Sequence, residues 1–418
     1  MKKILHLNNG LVGGPGRFMF NVCNALEKEY ENIIVVPRVT PENIFQNKNY
    51  RIVEIYKKNF YFSRILSKFF QYTSKVKIQK DGMWPEVYCK DKSKKILEIC
   101  NNEIDIIILY WYKNFINTDT ILKLYKTTKA KIYIYLMDNF PMTGGCHYPV
   151  KCKRYEKGCG HCPSVFSGKI RKDITYYNSI KDKRNLEEAK VTIICPTSFS
   201  LEEANKSYIL KNLEKKLVLG GLPDKYFLNN LKSINRKKDS INLFFGAQSL
   251  KNERKGMLYL IDALKKVYQN LNEIQRSNIN LYIAGNEILE DIKKIGFKIV
   301  YLGYLNNEEL IKIYRQVDVF ISSSIVDMGP MMVNESIASG TPVICFPIGV
   351  AKDLVINKKT GFIVKDISSD SLAKEILKFC NLKEEEIIEM KKNCKILSNK
   401  KLKTIVFNEN LKNFLNKV

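Results

Sequence analysis

The segment SSIVDMGPMMVNESIASGTP (323–342) holds two carboxylates, Asp327 and Glu335, eight residues apart, with Gly329 and Pro330 between them. Proline suits the first position of a helix, so the pair reads as one loop carboxylate and one helical carboxylate able to face the same ligand. The N–H groups at that helix start, near Met331 and Met332, would meet an anion at the positive end of the helix. Carboxylates accept hydrogen bonds from sugar hydroxyls, whereas helix starts and basic side chains suit phosphate. A site holding both tools points to a sugar phosphate or a nucleotide sugar. A second candidate is the loop NNGLVGGPGRF (8–18), which leaves a strand and enters a helix. Gly13 and Gly14 there read equally as a tight turn needing positive φ or as bare backbone approaching a phosphate or sugar. The loop is not a dinucleotide fingerprint, because Met19 stands where the last glycine should be, and it lacks the ending of a P-loop. A third is the spacing C-x5-C-x6-C-x2-C at Cys146, Cys152, Cys159 and Cys162. Those thiols can close a tetrahedral structural zinc site, with His147 and His161 as substitute ligands. Free thiols are the alternative, and disulfides the third.

The elements that would carry these loops follow a regular rhythm. Apolar runs KILHLN (3–8), NIIVVP (32–37), IDIIILY (104–110), KIYIYLM (131–137) and VTIIC (191–195) alternate with segments of helical period. The rhythm restarts with INLFFG (241–246), INLYIAG (279–285), KIVYLG (298–303), VDVFIS (317–322) and TPVICF (341–346). Strand and helix in alternation predict parallel sheets covered on both faces. We therefore expect an α/β chain with two facing, doubly wound, Rossmann-like domains and a ligand cleft at the carboxyl ends of their strands. The expected boundaries are 1–219 for the first domain, with a cysteine-rich insertion at 138–165, then a linker at 220–240. A second domain at 241–395 and a terminal helix at 396–418, packing back on the first domain through Ile405, Leu411 and Leu415, complete the plan.

The 418 residues suit two domains of roughly 100–200 residues each. The N-terminal apolar run is too short for a secretory signal, and no window is long and apolar enough to span a bilayer. A cytoplasmic protein with reduced cysteines is the expectation. The net charge of +26 calls for an anionic partner. Residues 56–80 interleave basic and aromatic side chains without an acidic one, with Phe62, Ile65, Leu66, Phe69 and Phe70 at helical spacing. That stretch reads as a core-facing helix with a solvated basic side, or as a helix lying on the inner face of an anionic membrane. Nucleic acid ranks last as partner, because no recognised module appears and the basic residues are dispersed. Of the three histidines, His6 lies in the first strand and reads as a satisfied buried residue. No G-x-S-x-G elbow supports a hydrolase triad.

The order Asp327, Glu335, Ala338 and Gly340-Thr341-Pro342-Val343, together with LYIAGN (281–286), YLGYLNNEELIKIYRQVDVFISSS (301–324) and NKKTGFIV (357–364), resembles the retaining glycosyltransferases of the GT-B fold, family 4. MDNFPMTGGCHYPVKCKRYEKGCGHCPSV (137–165) resembles the colanic-acid-type, surface-polysaccharide subgroup. The resemblance implies transfer of a sugar from a nucleotide-sugar donor to a saccharide or lipid-linked saccharide acceptor, with no catalytic divalent ion. It implies that Arg254 and Lys255, before Gly256, hold the donor diphosphate, that Asp327 contacts the transferred sugar and that Glu335 contacts the ribose hydroxyls. Gly13, Gly14 and Asp138 would line the facing side. Three positions depart from the family pattern: Met137 where a histidine commonly precedes Asp138, Ser249 where an arginine is common, and Gly220 where asparagine is usual. Either His147 or a backbone group then replaces the missing histidine, or the donor is held differently, or activity is reduced. A nucleotide-sugar epimerase or hydrolase on the same fold is the alternative enzyme, and a catalytically silent glycan- or lipid-binding relative the alternative class.

Overall fold

The computed structural model describes residues 1–39, 50–55, 89–218, 227–228, 240–287, 289–329 and 331–416. Pro330, most of the expected linker at 220–240 and the basic aromatic stretch at 56–80 lie outside the described residues. The chain divides into two compact units, one of residues 1–196, 200–219 and 408–418, the other of residues 197–199 and 220–407.

The first unit carries strands β1 (Lys2–Leu7), β2 (Tyr30–Val36), β3 (Tyr50–Glu54), β4 (Ile106–Leu109), β5 (Lys131–Tyr135), β6 (Thr192–Cys195) and β7 (Glu214–Leu217). They form one parallel sheet in the order β3-β2-β1-β4-β5-β6-β7. Helices α1 (Gly13–Leu26), α2 (Ser93–Ile99), α3 (Thr118–Thr128), α4 (Ile174–Glu188) and α5 (Ser198–Lys206) connect its strands. Central strands such as β4, IIIL, are buried at every position, which is why they read as continuous apolar runs and not as alternating ones. His6 is fully buried in β1 and satisfied on both ring nitrogens, with Tyr110 Oη and Asn32 Oδ1 each at 2.9 Å.

The second unit carries β8 (Ile241–Gly246), β9 (Ile279–Ala284), β10 (Lys298–Gly303), β11 (Val319–Ser322), β12 (Val343–Cys345) and β13 (Gly361–Ile363). Its parallel order is β10-β9-β8-β11-β12-β13. Its helices are α6 (Met257–Asn270), α7 (Glu273–Ser277), α8 (Glu290–Lys293), α9 (Asn307–Gln316), α10 (Met331–Ala338), α11 (Ala351–Leu354), α12 (Ser369–Cys380) and α13 (Glu384–Lys401). One core fills the side of the sheet under α6 and α12, and another packs α10 and α9 against the opposite face through Phe244, Tyr314 and Phe320. The fold is thus two Rossmann-like units, each with a doubly wound parallel sheet. In each, strand order reverses once, between β1 and β4 and between β8 and β11, and such switch points are where open α/β sheets bind ligands.

The C-terminal region differs from the single helix expected over 396–418. Helix α13 already begins at Glu384, and a second helix, α14 (Thr404–Asn416), follows it after a break. Ile405 is 63% exposed, whereas Phe407, Leu411 and Leu415 are buried. The apolar face is therefore set by Phe407, four residues before Leu411, and not by Ile405. Residues 408–418 belong to the first unit, where Phe414 meets the Tyr133 ring edge-on at 5.2 Å and Lys412 pairs with Glu29 at 2.7 Å.

Candidate functional site

In the second unit, the loops after β8 and β11 meet at its switch point. Asn252 caps a tight turn over Glu253–Lys255 by accepting from Arg254 N at 3.1 Å. Gly256 follows with φ +66°, and a Cβ there would lie 1.8 Å from Ser323 O, so only glycine permits this approach of the two loops. Two hydrogen bonds lock them together: Ser323 Oγ donates to Lys255 O at 2.8 Å, and Ile325 N donates to Arg254 O at 2.8 Å. Lys255 Nζ then reaches Asp327 Oδ2 at 2.9 Å, and Asp327 Oδ1 accepts from Gly329 N at 3.2 Å. The Lys255 and Asp327 side chains remain 28% and 15% exposed, so the pair is reachable by a ligand. Helix α10 starts directly beyond, with Met331 and Met332 half-buried in its first turn and Glu335 buried on its inner side. Tyr314 donates to Met332 O at 3.0 Å, and burial with the nearby Glu335 charge raises its phenol pKa well above the usual value. Asn334 Oδ1 on this helix and Ser339 Oγ just past its end are buried without hydrogen-bond partners among the described residues. Ser249, at the position of the missing arginine, donates to Glu287 Oε1 at 2.8 Å and ties the β8 loop to the loop after β9.

In the first unit, residues just past the carboxyl ends of β1, β4 and β5 gather at the other switch point. Asn8 Oδ1 accepts from Trp111 N at 3.0 Å, and Asn9 N donates to Trp111 O at 2.8 Å. Trp111 Nε1 donates to Asp138 Oδ2 at 3.0 Å, and His147 Nδ1 bonds the same oxygen. Phe140 N donates to Asp138 Oδ1 at 2.9 Å, so both carboxylate oxygens are engaged. Asp138 and His147 are buried, and among the described residues His147 Nε2 has no partner. Gly13 opens α1 with φ +76°, the tight turn, while Gly14 is exposed with open space above it.

The expected zinc site is a correction. Cys146, Cys152, Cys159 and Cys162 share one loop, but among the described residues no group of three or more His, Cys, Asp or Glu side chains stands close enough to hold a metal ion. A polar network holds the loop instead. Thr143 Oγ1 accepts from Cys146 N at 2.7 Å, Asp173 Oδ2 from Cys162 N at 2.7 Å, and Thr175 Oγ1 from Gly160 N at 3.1 Å. Lys113 Nζ donates to Gly145 O at 2.6 Å. Cys146 and Cys162 pack with Val165 as small apolar side chains, and Cys159 Sγ accepts from Gly144 N at 3.2 Å. Burial pushes the Cys162 thiol up to about 11 and the Cys159 thiol up to about 12. The candidate substitute ligands are engaged elsewhere, His147 on Asp138 and His161 on Gly168 O at 3.0 Å.

Reading the sequence alone missed Trp111 and Asn8. Their signal was position: a tryptophan one residue past the IDIIILY strand and an asparagine ending KILHLN both sit at carboxyl ends of central parallel strands.

Residues 229–397 match the family described as glycosyl transferases group 1. An uncharacterized glycosyltransferase of Methanocaldococcus jannaschii is 31% identical over 127 residues, 29% of this chain, and the match spans 31% of that relative's length. Sucrose-phosphate synthase from Thermosynechococcus elongatus is structurally similar over 100% of this chain and 99% of its own, with TM-score 0.67 and 13% identity. A glycosyltransferase from Rickettsia africae aligns with TM-score 0.64 and 17% identity over 100% and 99% of the two chains. HepE of Anabaena, solved in complex with UDP and glucose, aligns with TM-score 0.64 and 12% identity over the whole of both. The fold is GT-B, and the stretch from 229 to 397, which holds Lys255, Asp327 and Glu335, matches the group 1 glycosyl transferases.

Proposed function

We propose that the chain is a retaining glycosyltransferase that moves a sugar from a nucleotide donor to a saccharide or lipid-linked saccharide acceptor in surface polysaccharide synthesis, working against an anionic membrane surface. The observation that carries this is the Lys255–Asp327 pair at the switch point of the second unit, beside the start of α10 and its buried Glu335. Asp327 holds the Lys255 ammonium at one of its three donor positions and leaves the others for a diphosphate oxygen. Arg254 and the first-turn N–H groups of α10 add donors around the same anion. When the bond from the anomeric carbon to the diphosphate breaks, negative charge grows on the departing oxygen, and these fixed positive groups stabilise it without rearranging. The acceptor hydroxyl oxygen bonds to the same face of that carbon, and its proton passes to the departing phosphate oxygen. Asp327 orients the transferred sugar and Glu335 accepts from the ribose hydroxyls. The first unit supplies Gly13, Gly14 and Asp138. His147, hydrogen-bonded to Asp138 with Nε2 free, supplies the ring that Met137 cannot.

A thermal-shift series with UDP, GDP and their sugars tests the donor site, because a ligand that binds only the folded state raises its stability by mass action. At least one nucleotide should raise Tm, with the rise lost in Lys255→Ala. Glu335→Gln should keep the fold but lower turnover at least about tenfold, the cost of one charged hydrogen bond. No shift with any nucleotide, or full turnover in Glu335→Gln, would sink the assignment. Equal donor consumption with and without acceptors would favour the hydrolase or epimerase reading.

A further inference from the structure

The first unit holds a cavity of about 150 Å³ between the start of α3, one face of α4 and the turn that follows Asp138. No role falls to it in the reading above. Ligand pockets run from roughly 300 Å³ upward, so this one is too small for a nucleotide and fits a single ring.

Its lining is specific in chemistry. Asn178, Lys181 and Asp182 project from α4 at spacings of three and four, hence from one face. Asp182 Oδ1 accepts from Thr118 Oγ1 at 2.6 Å, and among the described residues its Oδ2 has no hydrogen-bond partner. Burial pushes the Asp182 carboxyl up to about 6, which marks a polar group that the protein itself leaves incompletely solvated. At the mouth stand Asp119 and Lys181, 3.7 Å apart with side chains 42% and 39% exposed. Tyr112 and Phe140, edge to face at 5.5 Å, supply the apolar wall.

Carboxylate and amide groups lining one cavity with aromatic rings suit a pyranose: vicinal hydroxyls bond the former, and the C–H face packs on the latter. Two carboxylates against one ammonium disfavour phosphates and sugar acids. Phe140 belongs both to this wall and to the Asp138 turn, through its N–H to Asp138 Oδ1 at 2.9 Å. A ring seated here therefore lies one turn from Asp138. We propose that this cavity binds one neutral sugar residue, the acceptor's own, next to the residue assigned to the facing side of the transfer site. Calling it the acceptor's rests on the glycosyltransferase reading, whereas the binding of a neutral sugar does not.

The test uses the full chain and saturation-transfer difference NMR with methyl glycosides of glucose, galactose, mannose and N-acetylglucosamine. At least one glycoside should give a signal that persists with saturating UDP. Asn178 Nδ2 donates to Gly144 O at 3.3 Å, so its amide oxygen is the group offered to the ring, and affinity should fall about tenfold in Asp182→Asn and less in Asn178→Ala. Circular dichroism must show both variants folded; if one is not, the other decides. Absence of signal from every glycoside, survival of binding in both variants, or displacement by UDP would overturn the proposal. If binding behaves as expected but the chain turns over no donor, the sugar site stands and the transferase reading falls.

Discussion

Gly256 does more for the donor loop than the charged residues around it, because its missing side chain lets the loops after β8 and β11 touch. A methyl group there would collide with Ser323 O at 1.8 Å on a backbone already at φ +66°. Gly256→Ala should therefore cost about 2 kcal/mol of stability in urea melts and abolish nucleotide-induced stabilisation, although no ligand contact is removed. His6 gives a prediction of opposite character. Burial lowers its pKa from 6.5 to about 4, so the folded chain resists protonation that the unfolded chain accepts. Its stabilising contribution is complete above pH 6.5 and is lost as pH falls from 6.5 toward 4. Between pH 7 and pH 5 that amounts to about 2 kcal/mol, which urea melts should register and His6→Gln should largely remove. At this scale much was legible. Asp327 and Glu335 stood out because their spacing in sequence fits one loop and one helix, whereas Lys255 was marked only by the family resemblance. His147, nine residues from Asp138, was within reach of a reading of that loop, whereas Trp111 meets Asp138 from another segment and Asn8 joins through the Trp111 backbone, and no local spacing announces those meetings.

Among the elements, the interior strands were plain in the sequence and most edge strands were not. β4 and β12 are apolar at every position because helices cover both of their faces. β3 reads YRIVE with no fully buried residue, and β7 reads EKKL with mostly exposed ones, because edges face solvent and carry charge to discourage further pairing. β13, a three-residue edge, is too short for any pattern. The helices contribute one ion pair of unusual placement. Lys391 of α13 and Asp318, just before β11, are 3% and 1% exposed, 3.2 Å apart, and Asp318 Oδ2 also accepts from Asn242 N at 2.9 Å. The pair pins α13 to the amino ends of β8 and β11, the edge away from the donor loops. Lys391→Ala leaves a buried carboxylate without its cation and should cost about 3–5 kcal/mol in urea melts. Nucleotide affinity per folded molecule should be unchanged.

For the whole molecule, the charge of +26 is the quantity that a membrane would feel. Flotation with vesicles should show binding that requires anionic lipid and weakens as salt shortens the screening length. Equal flotation with neutral vesicles would remove the membrane from the proposed function. The division into units has another consequence. The chain passes from one unit to the other at 196/197, 199/200, 219/220 and 407/408, so neither unit is a continuous stretch. Domains emerging from a ribosome usually fold in order, the amino-terminal one first. Here the first unit completes its packing only with Leu411, Phe414 and Leu415, which are translated after the second unit's residues. The growing chain must hold the finished first sheet without the helix that covers it until residues 408–416 arrive.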